Sequence, residues 1–182
     1  WSPDSRSFVF TDGTNLKKMR VPDGAPETVT SDVAALVGGS WSSNGTLLVA
    51  TTSGLYAVSA AGGVAKRIDD TGTPFGRGGV AWAYLWPEFL PGSEDFLVLV
   101  HQGIEQSDIY LATLRDGRAA DPVLLMKNAT AARYTPASGG RLLFVRNDNL
   151  YAQTLNRTAR RLEGEPELVQ QSVASSPAFE RA

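Results

Sequence analysis

The sequence predicts an all-β fold. Its 182 residues include 18 glycines and 10 prolines, spread so that turns recur at intervals too short for helices of ordinary length. Short apolar segments rich in branched and aromatic residues, at 8–10, 47–49, 96–100 and 142–145, have the length of strands. An alternating stretch follows each of them, and alternation with a period of two residues indicates a further strand.

These strand pairs form a repeat headed by an aromatic residue. Trp41 follows Trp1 by 40 residues, Phe89 follows Trp41 by 48, and Tyr134 follows Phe89 by 45. A period of roughly 40–50 residues with several strands in each unit is typical of the blades of a β-propeller. We therefore predict about four blades of four-stranded antiparallel sheets.

The repeat also defines the predicted blade boundaries and the positions that hold the blades together. The predicted blades span residues 1–31, 32–70, 71–127 and 128–171, and residues 172–182 begin a further blade. The predicted anchors occupy equivalent positions between neighbouring blades: Trp1, Trp41, Phe89, Tyr134 and, 45 residues after Tyr134, Phe179. A tight turn follows each anchor, where Asp or Asn side chains bond nearby backbone amides and Gly permits positive φ.

Composition excludes several partners and cofactors. Seventeen Lys and Arg against nineteen Asp and Glu give a net charge of −2, which supplies no basic field for nucleic acid or an anionic membrane. The chain has no cysteine and one histidine, His101, so it lacks the ligands of a zinc site. It has no apolar run long enough to cross a membrane, and we expect no direct insertion by this chain. We predict no metal and no cofactor.

No catalytic residue is predicted either. The chain contains neither the Gly-x-Ser-x-Gly pentapeptide of serine hydrolases nor a Gly-rich loop ending in Gly-Lys-Ser/Thr. The acidic residues Glu88, Glu94 and Asp95 are interpreted as facing solvent, and Asp69 and Asp70 as part of a turn. We interpret the basic patch as the exposed face of a strand near the rim; it consists of Arg157, Arg160 and Arg161.

The ordered motifs resemble one known class of propeller. Trp-Ser-Pro-Asp at 1–4 is similar to the turn of TolB-like and WD-repeat-like blades. The further segments 38–41, 55–63, 86–92, 142–146 and 164–166 resemble, in that order, the C-terminal propeller of bacterial, acidobacterial-type, membrane-anchored serine/threonine protein kinases. The resemblance covers nearly the whole chain and implies a propeller on the extracytoplasmic side of a bacterial membrane. It also implies that the four predicted blades form part of a larger ring of about six to eight blades. The resemblance assigns no kinase residue to any position of this chain.

The link at 71–86 is longer than the resemblance leads us to expect. It places four aromatic side chains and a guanidinium in one Gly-rich stretch, and Trp, Tyr and Arg are the residue types enriched where proteins bind each other. We predict partner contacts at Arg77, Trp82 and Tyr84. The alternative is that these aromatic side chains pack between adjacent blades and have a structural role.

Two functions remain open at this point. The leading hypothesis is a non-catalytic module that binds an unknown small ligand or protein, as the extracytoplasmic sensor part of a receptor-like kinase. The alternative is an accessory propeller that gates substrates for a prolyl-oligopeptidase-like peptidase. A kinase domain and a membrane span encoded before Trp1 would favour the first, and an α/β-hydrolase domain after Ala182 the second.

An open arc of blades predicts either further blades in the parent protein or self-association of this chain. Exposed strand edges and an uncovered apolar blade face drive association between chains. We expect contacts near the first blade and Phe179. Light scattering over a dilution series measures the effect, and a compact monomer at every concentration would mean that the four repeats close by themselves.

Overall fold

Strands make up nearly all of the regular structure. The structure is a computed structural model that describes residues 1–31, 33, 35–69, 83–101, 107–129 and 131–173. Within these ranges the chain forms fifteen β-strands and one turn of 3-10 helix, Ala137–Gly139. The prediction of an all-β fold is confirmed. No helix in the described part of the chain is long and apolar enough to cross a membrane.

The strands form four antiparallel sheets in which consecutive strands are neighbours. We call these sheets blades 1 to 4. Blade 1 contains β1 (Ser7–Asp12), β2 (Asn15–Arg20) and β3 (Glu27–Thr30), and blade 2 contains β4 (Leu36–Trp41), β5 (Thr46–Thr51), β6 (Gly54–Ser59) and β7 (Lys66–Arg67). Blade 3 contains β8 (Ala83–Phe89), β9 (Asp95–His101), β10 (Ser107–Arg115) and β11 (Arg118–Met126), and blade 4 contains β12 (Ala131–Thr135), β13 (Arg141–Arg146), β14 (Asn149–Asn156) and β15 (Arg161–Gln170).

Blade 1 differs from the prediction because it has three strands, not four. Its first strand, β1, follows an aromatic-headed turn, as β5 and β9 do in the next two blades. It therefore corresponds to the second strand of the other blades. Trp1 occupies the position that ends the first strand elsewhere, so the described residues of blade 1 include no counterpart of β4.

The turns that begin each repeat are held by short polar side chains. In blade 1 the backbone N–H of Ser7 donates to the Ser2 hydroxyl at 2.8 Å, and the N–H of Arg6 donates to Asp4 Oδ1 at 3.0 Å. The hydrogen bond from the Ser2 hydroxyl, followed by the Arg6 N–H, lowers the pKa of Asp4. In blade 2 the N–H of Thr46 donates to Ser42 in the same way, at 3.0 Å. The repeated Ser-x-Asp/Asn sequence therefore produces a repeated turn.

The core lies between the blades. One apolar cluster joins blades 1 and 2 around Leu16 and Leu47, a second joins blades 2 and 3 around Leu48 and Phe96, and a third joins blades 3 and 4. Strands β5 and β9 are buried along nearly their whole length because a neighbouring blade covers each face. This burial explains why their sequences are continuous apolar runs.

A close approach of two first strands requires a glycine. Strand β8 contains a bulge between Leu85 and Glu88, within which Trp86 adopts a positive φ of 44°. Its backbone lies against Gly38 on β4. A Cβ atom on Gly38 would lie 3.1 Å from both the Trp86 nitrogen and its Cα, so the sequence Gly-Gly in β4 lets blades 2 and 3 pack closely.

Gly38→Ala is therefore expected to lower the free energy of unfolding by about 2 kcal/mol, because the new methyl group overpacks against backbone atoms that cannot rotate away. Gly13→Ala is the control, since its position has open space and only a positive φ of 62°. We expect the control to cost about 1 kcal/mol. Urea denaturation compares the two, and a larger loss in the control would contradict the close packing of β4 and β8.

Blade 4 is bonded to blade 3 through arginines on the turn between β14 and β15. Arg160 donates to Asp95 Oδ1 at 2.9 Å, to the Thr113 hydroxyl at 3.1 Å and to two backbone carbonyls. Arg157 donates to the Pro91 carbonyl at 3.0 Å and the Ser93 hydroxyl at 2.7 Å. The interpretation of the basic patch as an exposed face is wrong for these two residues, because blade 3 presents acceptors to them.

Candidate functional site

A cavity of about 320 Å³ lies between blades 1 and 2. Its walls come from the end of β3 and the residues after it, from the turn between β5 and β6, and from the segment before β7. Side-chain hydroxyls and small apolar groups share these walls. The lining residues are Thr30, Ser31, Val33, Thr51, Ser53, Tyr56, Gly63, Val64 and Ala65.

The cavity exists because the outer strand of blade 2 is short. Strand β7 has two residues, whereas the outer strands of blades 3 and 4 have nine and ten. The segment before β7 leaves β6 and contacts blade 1, where the N–H of Gly63 donates to the Val29 carbonyl at 3.0 Å. On the other wall the N–H of Val33 donates to the Thr14 carbonyl at 2.8 Å. Both walls are therefore fixed by backbone hydrogen bonds.

Three hydroxyls form a connected row on the blade 2 wall. The Thr51 and Ser53 oxygens lie 2.9 Å apart, and the Ser53 oxygen lies 3.1 Å from the Tyr56 phenol oxygen. Thr51 is buried and also donates to the Gly54 carbonyl at 3.3 Å. Each hydroxyl both donates and accepts hydrogen bonds, so this wall can bind polar groups of either kind without carrying a charge.

Asp69 lies behind this wall as a structural carboxylate. It is buried and accepts hydrogen bonds from the Leu55 N–H and from the Arg67 guanidinium, all at 3.0 Å. Burial first, and then the Asp69 charge, raises the pKa of Tyr84 to about 12. The ion pair with Arg67 offsets the free-energy cost of burying the Asp69 carboxylate.

The Tyr84 side chain is too deeply buried to contact a partner. Its side chain is 3% exposed and belongs to the apolar cluster between blades 2 and 3. The predicted partner contact at this residue is therefore corrected: neighbouring blades cover both faces of β8 here, and Tyr84 lies on the blade 2 side, where the Asp69 charge acts on it. The other two predicted contacts, Arg77 and Trp82, lie outside the described residues.

The aromatic anchors differ in burial. Phe89 is buried and packs edge-on against Phe96 at 6.1 Å, and Trp41 and Tyr134 are half-buried against inter-blade clusters. Trp1 is 70% exposed and contacts Phe8 with ring centroids 5.4 Å apart. The prediction that Trp1 packs between blades therefore does not hold among the described residues, where the Trp1 side chain rests on Phe8 of its own blade. Phe179 lies outside the described residues.

The acidic residues interpreted as solvent-facing are partly buried and bonded. Glu88, on the first strand of blade 3, accepts a hydrogen bond from the Tyr134 N–H at 3.2 Å and lies 3.8 Å from Arg133 Nη1. Burial raises the pKa of Glu88, and the Tyr134 N–H and Arg133 charge oppose that rise. Asp95 binds Arg160, and Glu94 accepts from Asn44 of blade 2 at 2.5 Å. All three residues join neighbouring blades.

Glu88→Gln is expected to stabilise the protein near neutral pH. A carboxyl whose pKa is raised by folding contributes stability below its unfolded pKa and loses it as the pH rises through the folded pKa. Near neutral pH the ionised Glu88 therefore costs stability, and a glutamine, which still accepts from the Tyr134 N–H, removes that cost. Chemical denaturation at several pH values measures the difference. An equal gain from the exposed Glu165→Gln would contradict the role of burial.

The histidine and the acidic side chains in the described part of the chain form no metal-binding cluster. His101 is half-buried, with its Nδ1 2.9 Å from the Ser107 hydroxyl. Within the ranges that the structure describes, no group of three or more His, Asp or Glu side chains is placed to hold a metal ion.

Sequence reasoning missed the cavity. The described lining residues carry no charge and match no motif. The available signal was the spacing Thr51-x-Ser53-x-x-Tyr56, which places three hydroxyls at and after one strand-to-strand turn. These three hydroxyls line a cavity only because β7 is short, and no sequence pattern predicts the length of β7.

Comparison with known structures identifies the architecture. No protein-family model matches the chain, and no characterised protein matches it in sequence. TolB from Acinetobacter baumannii matches 94% of this chain at 16% identity with a TM-score of 0.63, and this chain covers 42% of TolB. The fold is that of a β-propeller. Both the TolB-like and the WD-repeat-like resemblance hold at the level of fold.

Two further propellers extend the comparison. The WD40 domain of SCAP from fission yeast matches 93% of this chain at 10% identity, with a TM-score of 0.53 and 43% of that chain covered. A puromycin-hydrolysing peptidase from Mycobacterium tuberculosis matches 93% at 16% identity, with a TM-score of 0.60 and 28% of that chain covered. This propeller chain spans less than half the length of each of the three proteins.

Proposed function

We propose that this chain is a non-catalytic propeller that binds a small ligand or protein, and that it forms the extracytoplasmic sensor part of a bacterial receptor-like serine/threonine kinase. The observation that carries the binding role is the hydroxyl-lined cavity between blades 1 and 2. Its volume lies at the small end of the range of about 300–1,000 Å³ for ligand pockets. The kinase association is supported by the ordered motifs described above.

A thermal-shift screen tests the binding role. The purified chain is heated with separate sets of monosaccharides, amino acids, nucleosides and tripeptides. We expect one set to raise the melting temperature in a saturable manner, since a ligand at 100 times its Kd stabilises the native state by about 2.7 kcal/mol. A chain that no set stabilises would overturn the part of the proposal that places a small ligand in the cavity.

Assays of turnover test the non-catalytic part of the proposal. We expect no hydrolysis of peptide, ester or glycoside substrates and no phosphoryl transfer by the homogeneous chain, because the sequence lacks the nucleophile motif and the phosphate loop that such reactions use. Turnover abolished by one substitution in this chain would contradict the proposal.

A second candidate is an accessory propeller of a peptidase. The match to the puromycin-hydrolysing peptidase favours it, since this chain aligns with 28% of that protein. The coding sequence on either side of this segment discriminates between the two. A kinase domain and a membrane span upstream support the sensor, and an α/β-hydrolase domain downstream supports the peptidase.

A further inference from the structure

We propose that the cavity between blades 1 and 2 binds an uncharged, hydroxyl-bearing molecule of monosaccharide size. The inference rests on the proposed binding function and adds the class of ligand to it. Four properties of the cavity walls support it: their hydrogen-bonding groups, their lack of charge, their apolar patch and their rigidity.

The polar groups of the lining suit hydroxyls in the ligand. Five lining residues carry a hydroxyl, and each can donate one hydrogen bond and accept others: Thr30, Ser31, Thr51, Ser53 and Tyr56. A sugar or cyclic polyol presents the same kind of group several times around a ring. Thr51, Ser53 and Tyr56 already bond to one another and to the Gly54 carbonyl, and the hydrogen-bonding capacity that they leave unused can replace water around such a ligand.

The lining carries no formal charge among the described residues. Arg67, which pairs with Tyr56 across β6 and β7, has its guanidinium bonded to Asp69 through two hydrogen bonds of 3.0 Å. A carboxylate, phosphate or ammonium group would gain no opposite charge from the described lining residues, and its loss of hydration would be costly. The described lining therefore favours an uncharged ligand over nucleotides, amino acids and sugar acids.

An apolar patch faces these hydroxyls. Val33 is buried, Ala65 is half-buried, and Val64 is 83% exposed at the edge of the cavity. The ring of Tyr56 adds a flat surface on the blade 2 side. A pyranose or inositol ring has C–H faces as well as hydroxyl edges, so it matches a wall that combines apolar surface with hydroxyls, as small-molecule sites commonly do.

The hydroxyls are also held in place before any ligand binds. Thr51 is fixed by the Gly54 carbonyl, and Ser53 lies within hydrogen-bonding distance of both Thr51 and Tyr56. A site whose groups are already oriented loses less conformational entropy on binding than a flexible one. The volume of about 320 Å³ accommodates one such ring and excludes a folded peptide or a lipid chain.

Isothermal titration calorimetry tests the proposal with D-glucose, D-galactose and myo-inositol. Glucuronate and glucosamine serve as charged counterparts, and cyclohexanol as an apolar one. We expect saturable binding of at least one of the three neutral polyols, and at least tenfold weaker binding of the charged and apolar compounds. Comparable affinity for a charged counterpart would overturn the assignment of ligand class.

Variants locate the binding in the cavity. Tyr56→Phe keeps the ring and removes one hydroxyl, so we expect the affinity to fall by roughly 2- to 12-fold, the loss of one ordinary hydrogen bond. The matched control is Tyr151→Phe, at the corresponding position of β14 in blade 4, outside the cavity. We expect its affinity to equal that of the parent chain.

A second variant covers the case in which Tyr56→Phe reduces stability. Ser53→Ala changes an exposed residue and is expected to weaken binding by a similar factor with an unchanged melting temperature. Binding that survives both substitutions, or that Tyr151→Phe weakens equally, would overturn the site. If none of the three polyols binds but the thermal-shift screen finds an amino acid, nucleoside or peptide ligand, this inference fails while the proposed binding function stands.

Discussion

Replacing Trp41 by alanine is expected to lower the free energy of unfolding by about 3 kcal/mol, and replacing Trp1 by less than about 0.5 kcal/mol. The two residues occupy the same position in successive repeats but differ in burial. Trp41 packs on the apolar cluster between blades 1 and 2, and loss of a packed aromatic side chain costs roughly 3–5 kcal/mol. We expect the lower end of that range because Trp41 is only half-buried.

Trp1 is the internal control for residue type and repeat position. Its side chain is 70% exposed and rests on Phe8, so truncation removes little buried area. Urea denaturation followed by near-ultraviolet circular dichroism measures both losses. Equal losses would show that burial does not distinguish the two positions, and an unchanged midpoint for Trp41→Ala would contradict its role between the blades.

The second large effect concerns the contact between blades 3 and 4. Arg160→Ala is expected to cost about 2–3 kcal/mol, because it removes four hydrogen bonds and leaves Asp95 without its guanidinium partner. Removing one member of a fully buried pair costs roughly 3–5 kcal/mol. The side chains of Arg160 and Asp95 are 23% and 20% exposed, so solvent screening reduces the expected loss.

The adjacent residue supplies the matched control. Arg161 is 69% exposed and, among the described residues, its guanidinium pairs with Glu163, two residues along the same strand. Arg161→Ala is therefore expected to change the free energy of unfolding by less than about 0.5 kcal/mol. The denaturation midpoints of the two variants are compared at low and high salt. Losses of similar size would contradict the prediction that Arg160 stabilises the contact between blades 3 and 4 more than Arg161 does.

The regular part of the fold could be predicted from the sequence because it depends on local patterns. Alternation identifies strands, and the aromatic heads with polar turns, such as Ser42 to Thr46, identify the repeat. Which side of a strand faces a neighbouring blade depends on contacts distant in sequence. The inward position of Tyr84 and the acceptors of Arg157 therefore required the structure.

The candidate site was beyond prediction for a related reason. Serine, threonine and tyrosine are common at turns and on strand surfaces, so their presence near Thr51 and Tyr56 has little weight in a sequence. The cavity arises where the chain before β7 leaves its own sheet and bonds to Val29 of blade 1. No residue pattern in the sequence predicts that the backbone leaves the sheet at this point.

The blades are joined unevenly, and this affects the order in which the protein opens. Among the described residues, side chains on blade 4 reach several acceptors of blade 3, whereas blades 1 and 2 share the bond from Gly63 to Val29 and one from Lys18 to the Ala60 carbonyl. Local opening of a repeat structure begins where the fewest bonds join two units, and in the described part of the chain that is the junction of blades 1 and 2. Blade 1 can therefore detach while blades 3 and 4 remain a cooperative unit, and a molecule held at the junction of blades 1 and 2 would be coupled to that fraying equilibrium.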